Sequence, residues 1–456
     1  MKKIKHILLG IILALSITIL TACGLDSTVP SDREEVKMWL IQNESFDVAW
    51  WKEQVKNFND SQDKYFVKIT WVDSGAWDTK INSSRESNSA PDIVTYPISG
   101  VAQQAQYGTL LPLNTYISNL DELLTDFDDK VKANITSSKG EVFGIPRLLE
   151  PSMLMYYRKD ILSAAGWSEA PKTLAELDRC CTDVTNYLSQ HKELKLSKTM
   201  QVGSNNNDYG WVSWAVQYQL SGHESSLNAD WTAADLSGYE KVCEYWADLH
   251  DMDGCAPQAL TSGGYKDDFA AILEGKVAIQ QCGSWIWGTM NSVDDYASMI
   301  DKIGVAPWPT ETGTFEGEIL CSLGGWSLAI DRGSHCPQGA ADFISWCLLV
   351  PESAERVFKY FEAGHFCKVS PRKSVNALIT SATTSESNAM RDLLVNVLLD
   401  NSMMEPTYPW EISQYIGNQY VAYVSEGKSA ADAMRDAEAL INGFIASNDV
   451  AQKKFN

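Results

Sequence analysis

Between Val36 and Tyr96 the chain alternates three short apolar runs with two helical stretches, a pattern that few folds accept. Val36-Lys-Met-Trp-Leu-Ile41 reads as a strand, followed by a helix carrying Trp50, Trp51, Val55 and Phe58 at three-to-four spacing. Phe66 to Val72 is the next strand, the polar loop Ser74-Gly-Ala-Trp77 leads into another helix, and Pro91-Asp-Ile-Val94 is a third strand ending at Thr95-Tyr96. Such β-α-β-α-β alternation predicts an α/β fold on an open, mostly parallel sheet. No internal repeat is evident, and Thr380 to Asn388 reads as a polar loop rather than a domain linker.

A second stretch, FAAILEGKVAIQQCGSWIW from Phe269 to Trp287, repeats this grammar. An amphipathic helix ends at Gly275, a strand follows at Val277-Ala-Ile279, and the turn Cys282-Gly-Ser284 opens onto Trp285 and Trp287. Open α/β sheets bind ligands beyond the C-terminal ends of their strands, where a flat indole can stack on an apolar ligand face. The alternative is a core hairpin with two buried tryptophans.

The first residues carry a compartment signal. Lys2, Lys3 and Lys5 precede an apolar run from Ile7 to Leu20, and Leu-Thr-Ala leads directly into Cys23. This predicts a signal peptide over residues 1–22, too short for a spanning helix, and a lipobox whose Cys23 thiol becomes lipidated. Residues 23–35 then form a flexible tether. Removing 1–22 takes three of the 37 basic groups and none of the 59 acidic ones, moving the net charge from −22 to −25. So acidic a surface repels nucleic acid and anionic membrane. The length predicts two or three domains, and an apolar content of 45% supplies a core for each. Nine cysteines follow Cys23, at 180, 181, 243, 255, 282, 321, 336, 347 and 367. The odd number leaves at least one unpaired, the spacing shows no zinc pattern, and mostly buried free thiols are expected.

Several motifs, in order, resemble the extracellular solute-binding proteins of sugar ABC importers, the maltose-binding-protein group. These are PDIVTY with Gly108-Thr-Leu-Leu-Pro-Leu113, Gly140-Glu-Val-Phe-Gly-Ile-Pro146, Tyr156-Tyr-Arg-Lys-Asp160 and Ala165-Gly-Trp167 with Pro171-Lys-Thr173. Phe269–Trp287, Leu323-Gly-Gly-Trp-Ser-Leu-Ala-Ile330 and the helix at Ala430–Ala437 continue the series. Leu174 departs from the group, which usually has tryptophan there. The resemblance implies a type II periplasmic-binding-protein-like fold: two open α/β lobes joined by a hinge, with the ligand in the cleft between them. Lobe 1 is expected at 36–146 plus 303–330 and lobe 2 at 147–302 plus 331–456. The crossovers are expected near Pro146, Ile303 and Gly325–Ile330. Gly324-Gly325 suits a hinge, with a β-bulge or turn as the alternative.

Sugars offer hydroxyls at the ring edge and C–H patches on the faces, so a sugar site needs aromatic platforms together with carboxylate or amide partners. By the resemblance, Tyr96, Trp285 and Trp410 are stacking aromatics and Glu150 is a sugar-contacting acid. Gln42, Asn43 and Glu44 lie at the end of the first strand, Trp77 lies on a strand-end loop and Trp326 lies beside the glycine pair. Trp211 lies where the second lobe contributes contacts, although Trp211, Trp214 and Tyr218 also have plain helix-core spacing. Arg372 could reach the cleft but reads more readily as a surface charge. No motif nominates a carboxylate pair for glycoside hydrolysis. Gly325-Trp-Ser327-Leu-Ala329 lacks the last glycine of a nucleophile elbow, and Glu274-Gly-Lys276 is no phosphate loop. The expectation is therefore a non-enzymatic, monomeric, lipid-anchored receptor on the outer face of a bacterial cytoplasmic membrane. It would bind a carbohydrate without cofactor or metal and deliver it to ABC permease subunits. A polyamine, glycerol phosphate, peptide or metal as ligand, and a surface glycosidase or lyase, are the alternatives.

Overall fold

The computed structural model describes residues 28–41, 45–202, 210–223, 225–252, 270–382 and 389–455; side chains at 210–212, 452 and 453 are not described. Eleven strands, β1 (Glu34–Ile41), β2 (Tyr65–Val72), β3 (Ile93–Pro97), β4 (Leu110–Leu111), β5 (Ile145–Pro151), β6 (Leu154–Arg158), β7 (Lys198–Gln201), β8 (Val277–Cys282), β9 (Ile303–Pro307), β10 (Cys321–Asp331) and β11 (Ser402–Met404), form two sheets. The longer helices are α1 (Ser45–Ser61), α2 (Trp77–Glu86), α3 (Ile98–Gln106), α4 (Leu174–Gln190), α5 (Gly210–Ser221), α6 (Glu240–Asp251), α7 (Trp285–Ser292), α8 (Pro337–Ile344), α9 (Ala354–Ala363), α10 (Lys373–Ser381), α11 (Trp410–Glu426) and α12 (Ala430–Asn448).

The seven-stranded sheet runs β11-β10-β3-β1-β2, with β4 and β5 also pairing with β10. As the opening alternation predicts, β1 pairs in parallel with both β2 and β3. The late strand β10 is antiparallel to β3, β4 and β5 and parallel to β11. All of β10 is buried except Trp326, which is half-buried. The second sheet runs β7-β8-β6-β9. Its strand β6 shows the period of two expected of a sheet packed on both faces: Leu154 and Tyr156 join the core of the larger sheet, while Met155 packs with Met200 and Ile279 in a second core.

Two expected boundaries are corrected. Gly304-Val-Ala-Pro307 does not return to the first sheet, because β9 pairs antiparallel with β6 along Ile303–Pro307. The helices after residue 331 do not all join the second lobe. Gly339 on α8 is so close to Val36 and Tyr65 that a Cβ there would lie 2.8 and 2.7 Å from their side chains. Phe343 also packs on Trp51 and Phe58 of α1. Only the last two helices, α11 and α12, follow the expectation, burying Ile412, Ile416, Met434 and Ile441 in the second core. Tertiary partners decide this placement, and apolar periodicity does not encode them.

The chain passes between the sheets three times among the described residues: after β5 (residues 152–153), after β9 (308–320) and after β11 (405–409). Main-chain hydrogen bonds gather these passages at the start of β10. Ser152 N donates to Ser322 O at 3.0 Å, Leu320 N to Asn401 O at 2.7 Å and Glu405 N to Leu323 O at 3.1 Å. The third crossing expected near Gly325–Ile330 is therefore corrected, since those residues lie inside β10. The glycine pair faces Glu150 and Leu149 in regular register, and the ladder's irregularity lies beyond it, between Trp326 and Ser327, where Arg147 of β5 is the extra residue. Gly325 has φ +128, and a Cβ there would lie 2.2 Å from Leu148 O. Only glycine fits that close approach.

Candidate ligand-binding site

Four of the nominated residues lie on or against adjoining strands near these passages. Tyr96 on β3 faces Ser327 across the ladder, Trp326 lies between Pro97 and Leu148, and Glu150 on β5 faces Gly324. Trp285 joins them through its turn, where Ser284 N donates to Pro151 O at 2.9 Å and the Tyr156 hydroxyl donates to Gly283 O at 3.0 Å. The described turn residues 270–275 end as the sequence predicts for a helix stop. Gly275 has φ +71, Gly275 N donates to Ile272 O and Lys276 N donates to Ala271 O, which is a Schellman stop. Phe269 lies outside the described residues.

Trp285 and Trp287 open α7 rather than standing in a loop, and both are half-buried against the larger core. The Trp285 ring covers Gly283 so closely that a Cβ there would lie 1.9 Å from its Cζ3 atom. Tyr96 is 5% exposed and its ring meets Trp77 edge-on, with centroids 5.9 Å apart. The Tyr96 hydroxyl accepts from Arg85 at 3.0 Å, and Arg85 pairs at 2.7 Å with the fully buried Asp331. Burial pushes the Tyr96 hydroxyl above the ordinary phenol range, and Arg85 opposes this. Trp77 begins α2, and its buried Nε1 has no hydrogen-bond partner among the described residues. Trp410 begins α11 directly after the third passage; it is 36% exposed and meets Trp214 edge-on at 5.9 Å.

Glu150 retains partial exposure at its side chain, 13%, and its Oε1 pairs at 2.9 Å with the Lys368 ammonium. A second acid, Glu405, lies on the third passage. Its Oε2 accepts from Ser99 Oγ at 3.0 Å, and its Oε1 fills the space beside Gly324 where a Cβ would stand, 2.2 Å away. Burial pushes the Glu405 carboxyl up to about 7, with Glu150 adding in the same direction and the Ser99 hydroxyl opposing. Sequence reasoning passed over both Lys368 and Glu405. A lysine between Cys367 and Val369 in an otherwise apolar run was the available signal for the first; the second had none, because its neighbours are distant in the chain.

Gln42, Asn43, Glu44, the side chain of Trp211 and Cys23 with the whole of residues 1–22 lie outside the described residues. Trp214 and Tyr218 are 2% exposed, so the core reading holds for those two helix positions. Arg372 is a buried staple: it pairs with Asp126 at 2.7 Å and donates to Leu348 O and Ser353 Oγ. A cavity of about 450 Å³ lies between the end of α5, Lys241 of α6 and Glu311–Ile319 of the second passage. No nominated residue with a described side chain lines it. The eight described cysteines are buried and form no disulfide among themselves, in line with the expectation of mostly buried thiols, and burial raises most of these thiols. Cys255 lies outside the described residues.

Two α/β sheets linked by three adjacent passages define a two-lobed binding-protein fold. The chain belongs to the bacterial extracellular solute-binding proteins, whose family model matches residues 53–390. It is 28% identical over 170 residues to a maltooligosaccharide ABC transporter solute-binding lipoprotein of Streptococcus pneumoniae, a match spanning 36% of this chain and 37% of that relative. The match thus covers little more than a third of that relative's length. Among solved structures, the fold is similar to the GacH receptor of Streptomyces glaucescens, studied unliganded and with acarbose. That similarity has a TM-score of 0.71 and 20% identity, over 91% of this chain and 99% of that one. The cyclic α-maltosyl-1,6-maltose binding protein of Arthrobacter globiformis aligns at a TM-score of 0.70 and 21% identity, over 91% and 99% of the two chains.

Proposed function

We propose that this protein captures a neutral carbohydrate, with an oligosaccharide favoured, and delivers it to the membrane permease of an ABC importer. The observation that carries this reading is the adjacency of Tyr96, Trp326 and Glu150 on β3, β10 and β5, with the Trp285 turn bonded to Pro151. By the alternation of the strands Glu150 and Trp326 share one face of the sheet and Tyr96 lies on the other, so aromatic groups and an acceptor are gathered near the passages between the two sheets. Ligand-stabilised closure requires contacts from both lobes, and these residues come from both sides of the passages. In this reading Trp77 supports Tyr96 edge-on, the exposed Trp410 is a stacking candidate, and Gln42, Asn43, Glu44 and Trp211 remain candidate contacts.

Lobe 1 in this proposal comprises the described residues within 28–151 and 321–404, and lobe 2 those within 154–307 and 410–455. The name of the pneumococcal relative supports the transport context and an anchored protein. The basic, apolar and Leu-Thr-Ala-Cys23 sequence supports lipid attachment at Cys23 and an extracytoplasmic location. Binding without turnover, by a monomer, completes the reading. Isothermal titration of the chain with linear and cyclic glucans, followed by analysis of the recovered sugar, tests it. Saturable binding with intact sugar is expected. Cleavage products would instead favour a glycosidase, and binding only to a polyamine or glycerol phosphate would replace the ligand class.

A further inference from the structure

A partly buried carboxylate that meets a neutral sugar cannot draw its counter-charge from the ligand. Glu150 has one built beside it. Lys368 is 2% exposed, and its Nζ lies 2.9 Å from Glu150 Oε1 and 5.5 Å from the centre of the Phe46 ring. The neighbouring backbone fixes this contact: Leu149 N donates to Val369 O at 2.8 Å, and Val369 N donates to Leu149 O at 3.0 Å. Around the second acid, Glu405, Ser99 of α3 donates to Oε2, Asn134 donates to the main-chain carbonyl and Gly324 of β10 abuts Oε1. Arg147, on the same strand as Glu150, is committed to Asp47 at 2.7 Å. Among the described residues no ion pair reaches Glu405, and the Lys368 ammonium pairs with Glu150.

We propose that Lys368 is a positioning and specificity-determining residue: its ammonium holds Glu150 by Oε1, leaves Oε2 to accept a ligand hydroxyl, and offsets the carboxylate so that a neutral sugar is preferred to a cationic one. This rests on the carbohydrate-receptor reading and adds the residue that sets charge selectivity within it. A hydrogen bond to an ionised acceptor is stronger than one to a neutral group, so fixing that acceptor favours the sugar. Without the ammonium, the same carboxylate would attract an amine.

The test is titration calorimetry of the unaltered chain, Lys368→Met, Lys368→Arg, Glu150→Gln and the double variant Lys368→Met/Glu150→Gln. Each is titrated with a neutral oligosaccharide, its amino-sugar counterpart and spermidine. Lys368→Met is expected to bind the neutral sugar about tenfold more weakly or worse, with the preference over the amino sugar narrowed or reversed. Lys368→Arg, which keeps the charge, is expected to recover most of that affinity. The double variant removes both charges, so it tests the coupling even where Lys368→Met alone fails to fold. Relative to Glu150→Gln, it is expected to lose less than about threefold. Neutral-sugar binding that Lys368→Met leaves unchanged, equal losses for neutral and cationic ligands, or additive losses in the double variant would each overturn the inference alone. Failure of the unaltered chain to bind any carbohydrate would overturn the receptor reading and the inference with it.

Discussion

Single side chains in this protein are constrained most tightly where backbone and ring share space. Gly283 lies under the Trp285 ring, and Gly325 passes Leu148 O with φ +128. Gly325→Ala would combine a steric overlap with a disfavoured backbone conformation, and a loss of about 2–4 kcal/mol in denaturant unfolding is expected. Trp285→Ala should weaken carbohydrate binding about tenfold or more, as truncation of a buried aromatic anchor commonly costs over ~1.4 kcal/mol. Calorimetry on the folded variant checks this, and unchanged affinity would remove Trp285 from the site. The places of Tyr96 near the end of β3 and of Trp285 just past β8 were legible because position relative to a strand end is a local property of the sequence. The polar partners were less so. Lys368 and Glu150 are far apart in the chain and meet only because residues 367–369 run alongside β5.

At the scale of elements, the opening strand–helix alternation and the Gly275 helix stop were readable, because period, breakers and caps are local. Sheet membership was not. The expectation for 303–307 followed strand order, whereas the observed pairing of β9 with β6 depends on a partner about 150 residues away. One element contact carries a large energy. Asp47 in the first turn of α1 and Arg147 on β5 form a 2.7 Å ion pair with side chains 0% and 3% exposed, and Arg147 also lies 5.7 Å from the Trp51 ring. Arg147→Met should cost roughly 3–5 kcal/mol by leaving Asp47 buried and unpaired, while replacing both partners with apolar residues should cost less. Chemical denaturation of the two variants checks the order.

The third passage contains its own titrating group. Burial raises the Glu405 carboxyl from 4.5 to about 7, so the folded chain binds this proton more tightly than the unfolded chain does. Its contribution is therefore most favourable below about 4.5 and diminishes as pH rises to about 7, leaving a penalty of up to about 3 kcal/mol at higher pH. Glu405→Gln should raise stability at pH 8 and lose that advantage near pH 5. Thermal unfolding at the two pH values checks the sign, and equal shifts at both would contradict the buried, uncompensated carboxyl.

For the whole molecule, family membership and the two-lobed fold follow from features distributed along most of the chain, which is why the ordered motifs conveyed them. The lobe boundaries did not follow, because they depend on where the three passages gather at Ser322 and Leu323. A receptor built this way should report its ligand through its own indoles, since Trp285, Trp326 and Trp410 lie close to the passages. The most direct measurement is an intrinsic tryptophan fluorescence titration of the chain with mono- and oligosaccharides, with spermidine and glycerol phosphate as controls. The account predicts a saturable change with one class of neutral sugar and no response to either control. Silence across the sugars with a saturable response to a control would contradict it.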